Sequence, residues 1–249
     1  MPAERLVGSN LTALSLIDCL FNQTAASRLH SFQVPARTGI KLANPGASRA
    51  NSSQYMMRRN EIVDLSARLF AANGYAATGI REIGDAAELA RGALYYYIDS
   101  KESLLGEIHD RVMDPLLSQT RSIVGLAASA TTRLRLVSEV LLTEIIGHQD
   151  HVWVFLHEYR SLTGERRTTF KRKRDEFENL LIEVLSAGVE SHEFQIDDLR
   201  MTMLAFLGMH NYTYQWIHGA SAVDPVKLSK LYCDIFLAGI AAGSSPAGV

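Results

Sequence analysis

The chain has 249 residues, of which 47% are hydrophobic and 21% are charged, and its formal net charge is −2. This composition is typical of a folded protein and excludes disorder along the whole length. The two cysteines, Cys19 and Cys233, exclude a disulfide framework or a cysteine-built zinc module, and no apolar run reaches the roughly 18 residues of a membrane span. We therefore expect a soluble cytoplasmic protein of one or two domains, without a membrane partner.

The charges are spread thinly along the chain. Residues 1–55 carry five basic and two acidic residues, residues 56–104 carry six and seven, and the remaining residues are net acidic. Because no segment is strongly basic, binding to a nucleic acid would depend on a few well-placed side chains and on dimerisation.

Residues 1–55 are rich in Ser, Ala, Asn, Thr and Gly and are predicted to form a flexible, largely dispensable extension. The spacing of apolar residues at 11–21 is compatible with a short amphipathic helix. Asp18 interrupts the apolar run there, so the segment is a poor match to a secretory signal peptide. Met56 directly precedes the first strong helical pattern, so a chain that starts there is expected to keep the activity of the whole.

Three short helices and one long helix are predicted next, from the spacing of apolar residues and from capping residues. Thr78 is the predicted N-cap of the second helix, Ser100 caps the long one, and Pro115 is expected to bend or end it. The first helix starts near Arg58 and stops at Asn73-Gly74, and the next two are Arg81–Ala87 and Arg91–Tyr97.

The rest of the chain is also predicted to be helical, because it shows no sustained two-residue alternation and no hairpin dipeptide between strands. The expected helices are roughly Thr131–His148, His151–Leu162, Arg166–His192, Leu199–His218 and Pro225–Ala242. The predicted fold class is all-α. A three-helix DNA-binding domain at 56–104 would precede a helical ligand-binding and dimerisation domain at 105–244.

The pair of seven-residue helices after a supporting helix is the layout of a helix-turn-helix, whose second helix enters the major groove of double-stranded DNA. Small residues at its start permit a close approach to DNA, tyrosine hydroxyls suit phosphates, and an arginine suits base edges. Tyr97 is expected to pack on the supporting helix instead. The candidate contacts are Arg91, Gly92, Ala93, Tyr95, Tyr96 and Lys101, the last at a helix end suited to phosphate.

The stretch from Arg58 to Ile108 resembles the DNA-binding domain of the TetR family of bacterial transcriptional regulators. The matching features include Gly74-Tyr75, Thr78, Leu94-Tyr95 and Lys101-Glu102. The resemblance implies phosphate contacts from Thr78, Tyr95, Tyr96 and Lys101. It also implies a homodimer, a ligand pocket in the helical body, and repression that a small-molecule effector relieves.

The turn departs from the family pattern, since Glu88-Leu89-Ala90 stands where Gly-Val-Ser is usual. A non-glycine residue in a left-handed turn position costs on the order of 1 kcal/mol, and so does an N-cap without a side-chain oxygen. These departures affect operator affinity rather than architecture.

The last two predicted helices present apolar residues suited to a dimer interface, although they would equally serve to close the domain's own core. Aromatic residues and methionines with a few polar groups suggest a pocket for a largely apolar ligand, with a plain core as the alternative. The interface candidates are Leu204, Leu207, Leu231, Ile235 and Phe236, and the pocket candidates are Trp153, His157, Tyr159, Phe170, Met209, Tyr212 and Trp216.

Six basic residues lie within the nine positions that start at Arg166. One interpretation is a solvated helix face with internal ion pairs. The other is a phosphate-binding site in which Arg166, Arg167 and Arg174 hold a coenzyme A thioester. The segment 151–165 faintly resembles TetR-family regulators of fatty-acid and steroid catabolism, which respond to acyl-CoA.

No cofactor or metal is expected, although Glu144, His148 and His151 fit one helical face. No catalytic motif indicates an enzyme. The leading hypothesis is therefore a ligand-responsive repressor that binds a palindromic operator, and the alternative is a helical scaffold protein that does not read DNA.

Overall fold

In a computed structural model of the chain, residues 50–217 and 223–241 are described. The predictions for the N-terminal extension, including the helix at 11–21 and Cys19, concern residues outside the described ranges, as do those for His218 and Ala242. The helices of the described part are α1 Ala50–Asn73, α2 Ile80–Ala86, α3 Arg91–Tyr97, α4 Lys101–Val124, α5 Ala130–Gly147, α6 Gln149–His157, α7 Gly164–Glu190, α8 Leu199–Asn211, α9 Thr213–Trp216 and α10 Pro225–Ile240.

The predicted all-α class is confirmed, and the only extended pairing among these residues is one isolated bridge between Phe194 and Ala241. A single turn of 3₁₀ helix, Tyr159–Ser161, joins α6 to α7. The chain segment predicted as one helix at 199–218 instead divides into α8 and α9. The division falls at Tyr212, after which the buried Thr213 hydroxyl lies 3.1 Å from the Tyr232 hydroxyl.

The first helix begins at Ala50, earlier than the boundary predicted at Met56. Tyr55, in this added turn, stacks on the Tyr97 ring at 5.2 Å and donates its hydroxyl to the Tyr96 carbonyl oxygen at 3.4 Å. The packing of Tyr97 on the supporting helix is as predicted. Because Tyr55 belongs to this contact, a start at Met56 would cut into the folded domain.

Helix α4 continues through Pro115, so the helix does not end there. A proline inside a helix removes one backbone hydrogen bond. In α4 the neighbouring residues Val112, Met113, Leu116 and Leu117 are all buried, and packing of this kind outweighs local helix propensity.

Helices α1 to α3 form the head, and helices α5 to α10 form the body. The head closes over Phe70, Ile83, Leu94 and Leu104, which are all fully buried. Helix α4 crosses the boundary predicted at 104/105 without interruption, so the head and body share one helix.

Candidate DNA and effector sites

The recognition helix α3 has the predicted bounds and presents its candidate residues to solvent. Leu94 and Ile98 are buried beneath it, whereas Tyr95 is 42% and Tyr96 is 66% exposed. Arg91 and Gly92 are also exposed, and Ala93 is half-buried. The face that a groove would meet is therefore available, and among the described residues Arg91 forms only a stacking contact, with its guanidinium 5.8 Å from the Tyr95 ring centre.

The turn before α3 has the strain that the sequence predicts. Glu88 adopts a left-handed backbone with φ of 54°, a conformation that glycine adopts without steric cost. Ala90 is the N-cap of α3 and offers no side-chain acceptor to the helix. Both departures therefore weaken the local stability of the element that carries the candidate DNA contacts.

Thr78 does not have its predicted capping role, because Gly79 is the N-cap of α2. The Thr78 side chain is fully buried, and its hydroxyl donates to the Gly74 carbonyl oxygen at 2.9 Å. This hydrogen bond stabilises the turn after α1. A phosphate contact from this hydroxyl would require the turn to open, so we remove Thr78 from the candidate DNA contacts.

Lys101 opens α4 behind a capping box in which the Ser100 hydroxyl accepts from the Ser103 N–H at 3.0 Å. The Lys101 ammonium lies 4.1 Å from the Tyr75 ring centre. Partial burial lowers the pKa of Lys101. The cation is thus held against the head, at the end of the helix that continues into the body.

Polar contacts join the head to the body and to α4. The Glu158 carboxylate accepts from the Tyr75 N–H at 2.9 Å. Arg111 donates to the Asn60 side-chain oxygen at 2.7 Å and pairs with Asp64, while Arg59 pairs with Glu107. The head is therefore held by direct contacts to α4 and to Glu158.

The structure places the predicted pocket residues in several parts of the body. Arg166 and Phe170 line a cleft of about 500 Å³ between α4 and α7. Trp153 stacks on the His157 ring at 4.4 Å, and the His157 Nε2 atom lies 3.1 Å from the Tyr214 hydroxyl oxygen. The remaining candidates are placed as follows: Tyr159 stacks on Phe170, Met209 is half-buried, and Tyr212 and Trp216 are 48% and 42% exposed.

The basic run divides into paired and exposed residues. Arg174 is buried, with its Nε atom 3.3 Å from a Glu178 carboxylate oxygen. Lys173 pairs with Asp110 and Asp114, both at 2.6 Å. Arg174 is therefore committed to an internal ion pair and is removed from the candidate phosphate contacts, whereas Arg166 and Arg167 remain exposed.

The predicted interface residues also divide. Leu231 and Ile235, one turn apart on α10, are 54% and 59% exposed. Leu204 and Phe236 are half-buried, but Leu207 is buried within its own chain. Leu207 therefore belongs to the core, because its side chain already packs inside the body.

Two further features of the described residues bear on the site. A second cleft contains His148 and His151 beside Asp64 and Glu144, but no group of three or more His, Cys, Asp or Glu side chains in this part of the chain is arranged to hold a metal ion. None of its helices is long and apolar enough to cross a membrane.

Family models and relatives match both parts of this architecture. Residues 62–108 match the model for bacterial regulatory proteins of the tetR family, and residues 127–240 match a tetracyclin repressor-like C-terminal domain. The HTH-type transcriptional repressor KstR2 of Rhodococcus jostii (strain RHA1) is 31% identical over 186 residues, covering 74% of this chain and 91% of that protein. The chain belongs to the TetR family.

Solved structures of TetR-family regulators share the fold. The ketosteroid transcriptional regulator KstR2 of Mycobacterium tuberculosis superposes with a TM-score of 0.70 at 26% identity, covering 74% of this chain and 95% of that one. AibR, in complex with isovaleryl coenzyme A and operator DNA, superposes with a TM-score of 0.63 at 26% identity, covering 74% and 98%. These likenesses favour the regulator hypothesis over the scaffold alternative.

Sequence reasoning missed His109 and Gly106 of the α4–α7 cleft. Gly106 is buried under Arg166, since a Cβ atom there would lie 2.8 Å from the Arg166 Nη1 atom. The available signal was a histidine on the apolar face of α4, near Leu105, Ile108 and Val112.

Proposed function

We propose that this TetR-family protein is a ligand-responsive transcriptional repressor that binds a palindromic operator as a homodimer and leaves it when an effector binds. The observation that carries the proposal is the exposed face of α3, on which Arg91, Tyr95 and Tyr96 stand clear of the core. Gly92 and Ala93 leave room for DNA at the start of the same helix, and Lys101 adds a cation nearby.

A homodimer supplies the second recognition helix that a palindrome requires. The exposed side chains of Leu231 and Ile235 on α10 support a self-complementary contact.

The candidate effector class is an acyl-CoA thioester. One relative supports it directly, since AibR was solved with isovaleryl coenzyme A. A second relative, the fatty acid metabolism regulator protein of Bacillus subtilis (strain 168), is 24% identical over 182 residues, and its name refers to a metabolism in which such thioesters occur. The exposed cations Arg167, Lys171 and Arg172 on α7 suit the phosphates of such a ligand.

Selection of genomic fragments by the purified protein tests the proposal. We expect an enriched palindrome whose affinity falls steeply with salt, as phosphate contacts require. Addition of acyl-CoA should then release the bound fragment. Absence of enrichment at low salt, from a protein shown to be folded, would contradict the proposed function.

A further inference from the structure

The α4–α7 cleft is built by two helices that run in the same direction from the end of the body nearest the head. Glu102 accepts from the Thr163 N–H at 2.9 Å and from its hydroxyl at 2.8 Å, and farther along Lys173 donates to Asp110 at 2.6 Å. Between these contacts the cleft encloses about 500 Å³. That volume is within the range of small-molecule sites.

His109 lines this cleft and is only 2% exposed. Neither of its ring nitrogens has a hydrogen-bond partner among residues 50–217 and 223–241. Its ring instead faces Phe170 at 4.8 Å and Phe155 at 5.5 Å. Burying a polar group without a hydrogen-bond partner destabilises the folded state, so a ligand that supplies the partner would be favoured at this position.

The protonation state of His109 defines which groups it can bind. Burial lowers its pKa to about 3, so the ring is neutral at physiological pH. A neutral imidazole offers one N–H donor and one acceptor nitrogen. The complementary partner is therefore a neutral polar group, such as a carbonyl, between aromatic walls.

The other charges of the cleft also disfavour an anion in its interior. Glu102, Asp110 and Glu165 line it together with a single cation, Arg166. The exposed Arg167 and Lys171 form the adjacent row of α7, because Arg166 and Phe170 occupy the row that faces the cleft. This separation places anion-binding groups outside the cleft and a neutral hydrogen-bonding group within it.

We propose that the α4–α7 cleft binds the neutral, carbonyl-bearing segment of the effector, with the His109 ring donating a hydrogen bond to the carbonyl oxygen. The proposal rests on the proposed function in taking the ligand to be the effector. The carbonyl has two possible sources, the thioester of an acyl-CoA and the ketone of a molecule without coenzyme A. In the first case the phosphates remain outside, against Arg167 and Lys171.

Occupation of the cleft would act on the head through its first turn. The Arg166 guanidinium lies across Gly106 and beside Glu102, so a ligand that reaches His109 displaces it. The Glu102–Thr163 hydrogen bonds then change at the residue that follows Lys101. The site is thus placed to couple effector binding to the end of α4 that joins the head.

The test uses the full chain and three variants. His109→Leu removes the ring, His109→Gln restores a donor and an acceptor, and Thr120→Val is the matched control. Thr120 is another buried residue of α4 whose hydroxyl has no partner in the described part of the chain, but it lies outside the cleft. Thermal unfolding confirms that each variant is folded before titration.

Binding is measured by calorimetry with octanoyl-CoA, with free coenzyme A, and with the steroid ketone androst-4-ene-3,17-dione. We expect His109→Leu to weaken the binding of the carbonyl ligand at least tenfold, and to raise the concentration that releases the operator by the same factor. His109→Gln should remain within about threefold of wild type, and Thr120→Val should be unchanged. Tighter binding of octanoyl-CoA than of the ketone assigns the carbonyl to a thioester, and the reverse assigns it to a ketone.

Equal binding by wild type and His109→Leu would overturn the cleft proposal, and so would the failure of both carbonyl ligands to bind wild type. In either case, operator binding by the same preparation would leave the proposed repressor function standing. Conversely, His109-dependent ligand binding by a folded protein that selects no operator would contradict the repressor function and support the site.

Discussion

The DNA face of the head and the α4–α7 cleft of the body present their functional side chains in opposite ways. On α3, Tyr95 and Tyr96 are 42% and 66% exposed, and the fold beneath them closes over Leu94 without their help. In the cleft, His109 is 2% exposed and packs against Phe155 and Phe170. On the face, the functional side chains lie outside the packed interior, whereas in the cleft the functional side chain is itself packed among aromatic rings.

Removing the exposed side chains is the strongest test of that separation. We expect Arg91→Ala combined with Tyr95→Ala to weaken operator binding at least 100-fold, because each lost contact to a base or phosphate is worth about 1–3 kcal/mol. The free energy of unfolding should change by less than about 0.5 kcal/mol, as is usual for exposed positions. Fluorescence anisotropy and urea unfolding measure the two quantities, and Arg121→Ala, which removes an exposed cation at the end of α4 farthest from the head, is the control for binding.

If the double variant also unfolds easily, the face contributes to the fold and the comparison fails. If it is stable and still binds the operator as tightly as wild type, the assignment of α3 as the recognition helix is wrong.

The DNA face could be predicted from the sequence, whereas the cleft could not, and the reason is physical. The candidate DNA contacts lie within one short stretch, so helical periodicity suffices to place Arg91 and Tyr96 on one face. The cleft joins Glu102–Asp110 to Leu162–Phe170 across some sixty residues, and periodicity does not report which helix packs against which.

Local patterns also leave the choice between alternative partners open. Thr78 is a good N-cap by residue type, yet its hydroxyl bonds back to Gly74. Arg174 is part of a basic run, yet Glu178 lies beside it in the body. His109 has no sequence feature that separates it from a histidine with partners, such as His210. Only the assembled fold distinguishes these cases.

The pH dependence of stability tests whether His109 is buried in the cleft. Burial lowers the pKa of His109 to about 3 from an ordinary value of 6.5, so the folded state keeps the ring neutral while the unfolded chain takes up a proton. The stability that this provides is complete above pH 6.5 and declines as the pH falls, by about 1.4 kcal/mol per unit. Between pH 6.5 and 5, we expect wild type to lose about 2 kcal/mol more than His109→Leu in urea unfolding. Parallel curves for the two proteins would show that His109 is solvated.

A comparison with His210, a second buried histidine, tests whether the lack of hydrogen-bond partners at His109 affects stability. The His210 Nε2 atom lies 2.7 Å from the Ser138 hydroxyl oxygen, and its Nδ1 atom lies 2.7 Å from the Phe206 carbonyl oxygen. We expect His210→Leu to cost about 1–2 kcal/mol at pH 7, because it removes satisfied hydrogen bonds. His109→Leu should cost less than about 0.5 kcal/mol or stabilise the fold. Equal costs, measured by urea unfolding, would mean that His109 has a partner in solution.

The N-terminal turn of α1 tests how far the head extends. Tyr55 stacks on Tyr97 at 5.2 Å, and aromatic pairs of this kind contribute about 0.5–1.5 kcal/mol. A chain that starts at Met56 should therefore be less stable by about 1 kcal/mol than one that starts at Ala47, with a lower melting temperature by calorimetry. Tyr55→Phe in the full chain is the control, since it keeps the stacked ring. If the two truncated chains melt together, the head begins after Tyr55 as the sequence pattern predicts.

The smallest expected effect concerns the turn that supports α3. Glu88 holds a left-handed φ of 54° and is exposed, so Glu88→Gly relieves strain without removing a buried contact. We expect a gain of about 0.5–1 kcal/mol in the free energy of unfolding. The loss of a negative charge beside the proposed DNA face should also strengthen operator binding severalfold, and more so at low salt. Glu88→Gln, which removes the charge but keeps the side chain, separates the two effects: it should improve binding without the gain in stability. If Glu88→Gly is no more stable than Glu88→Gln and binds the operator no better, the left-handed backbone at this position does not destabilise the turn or weaken DNA binding.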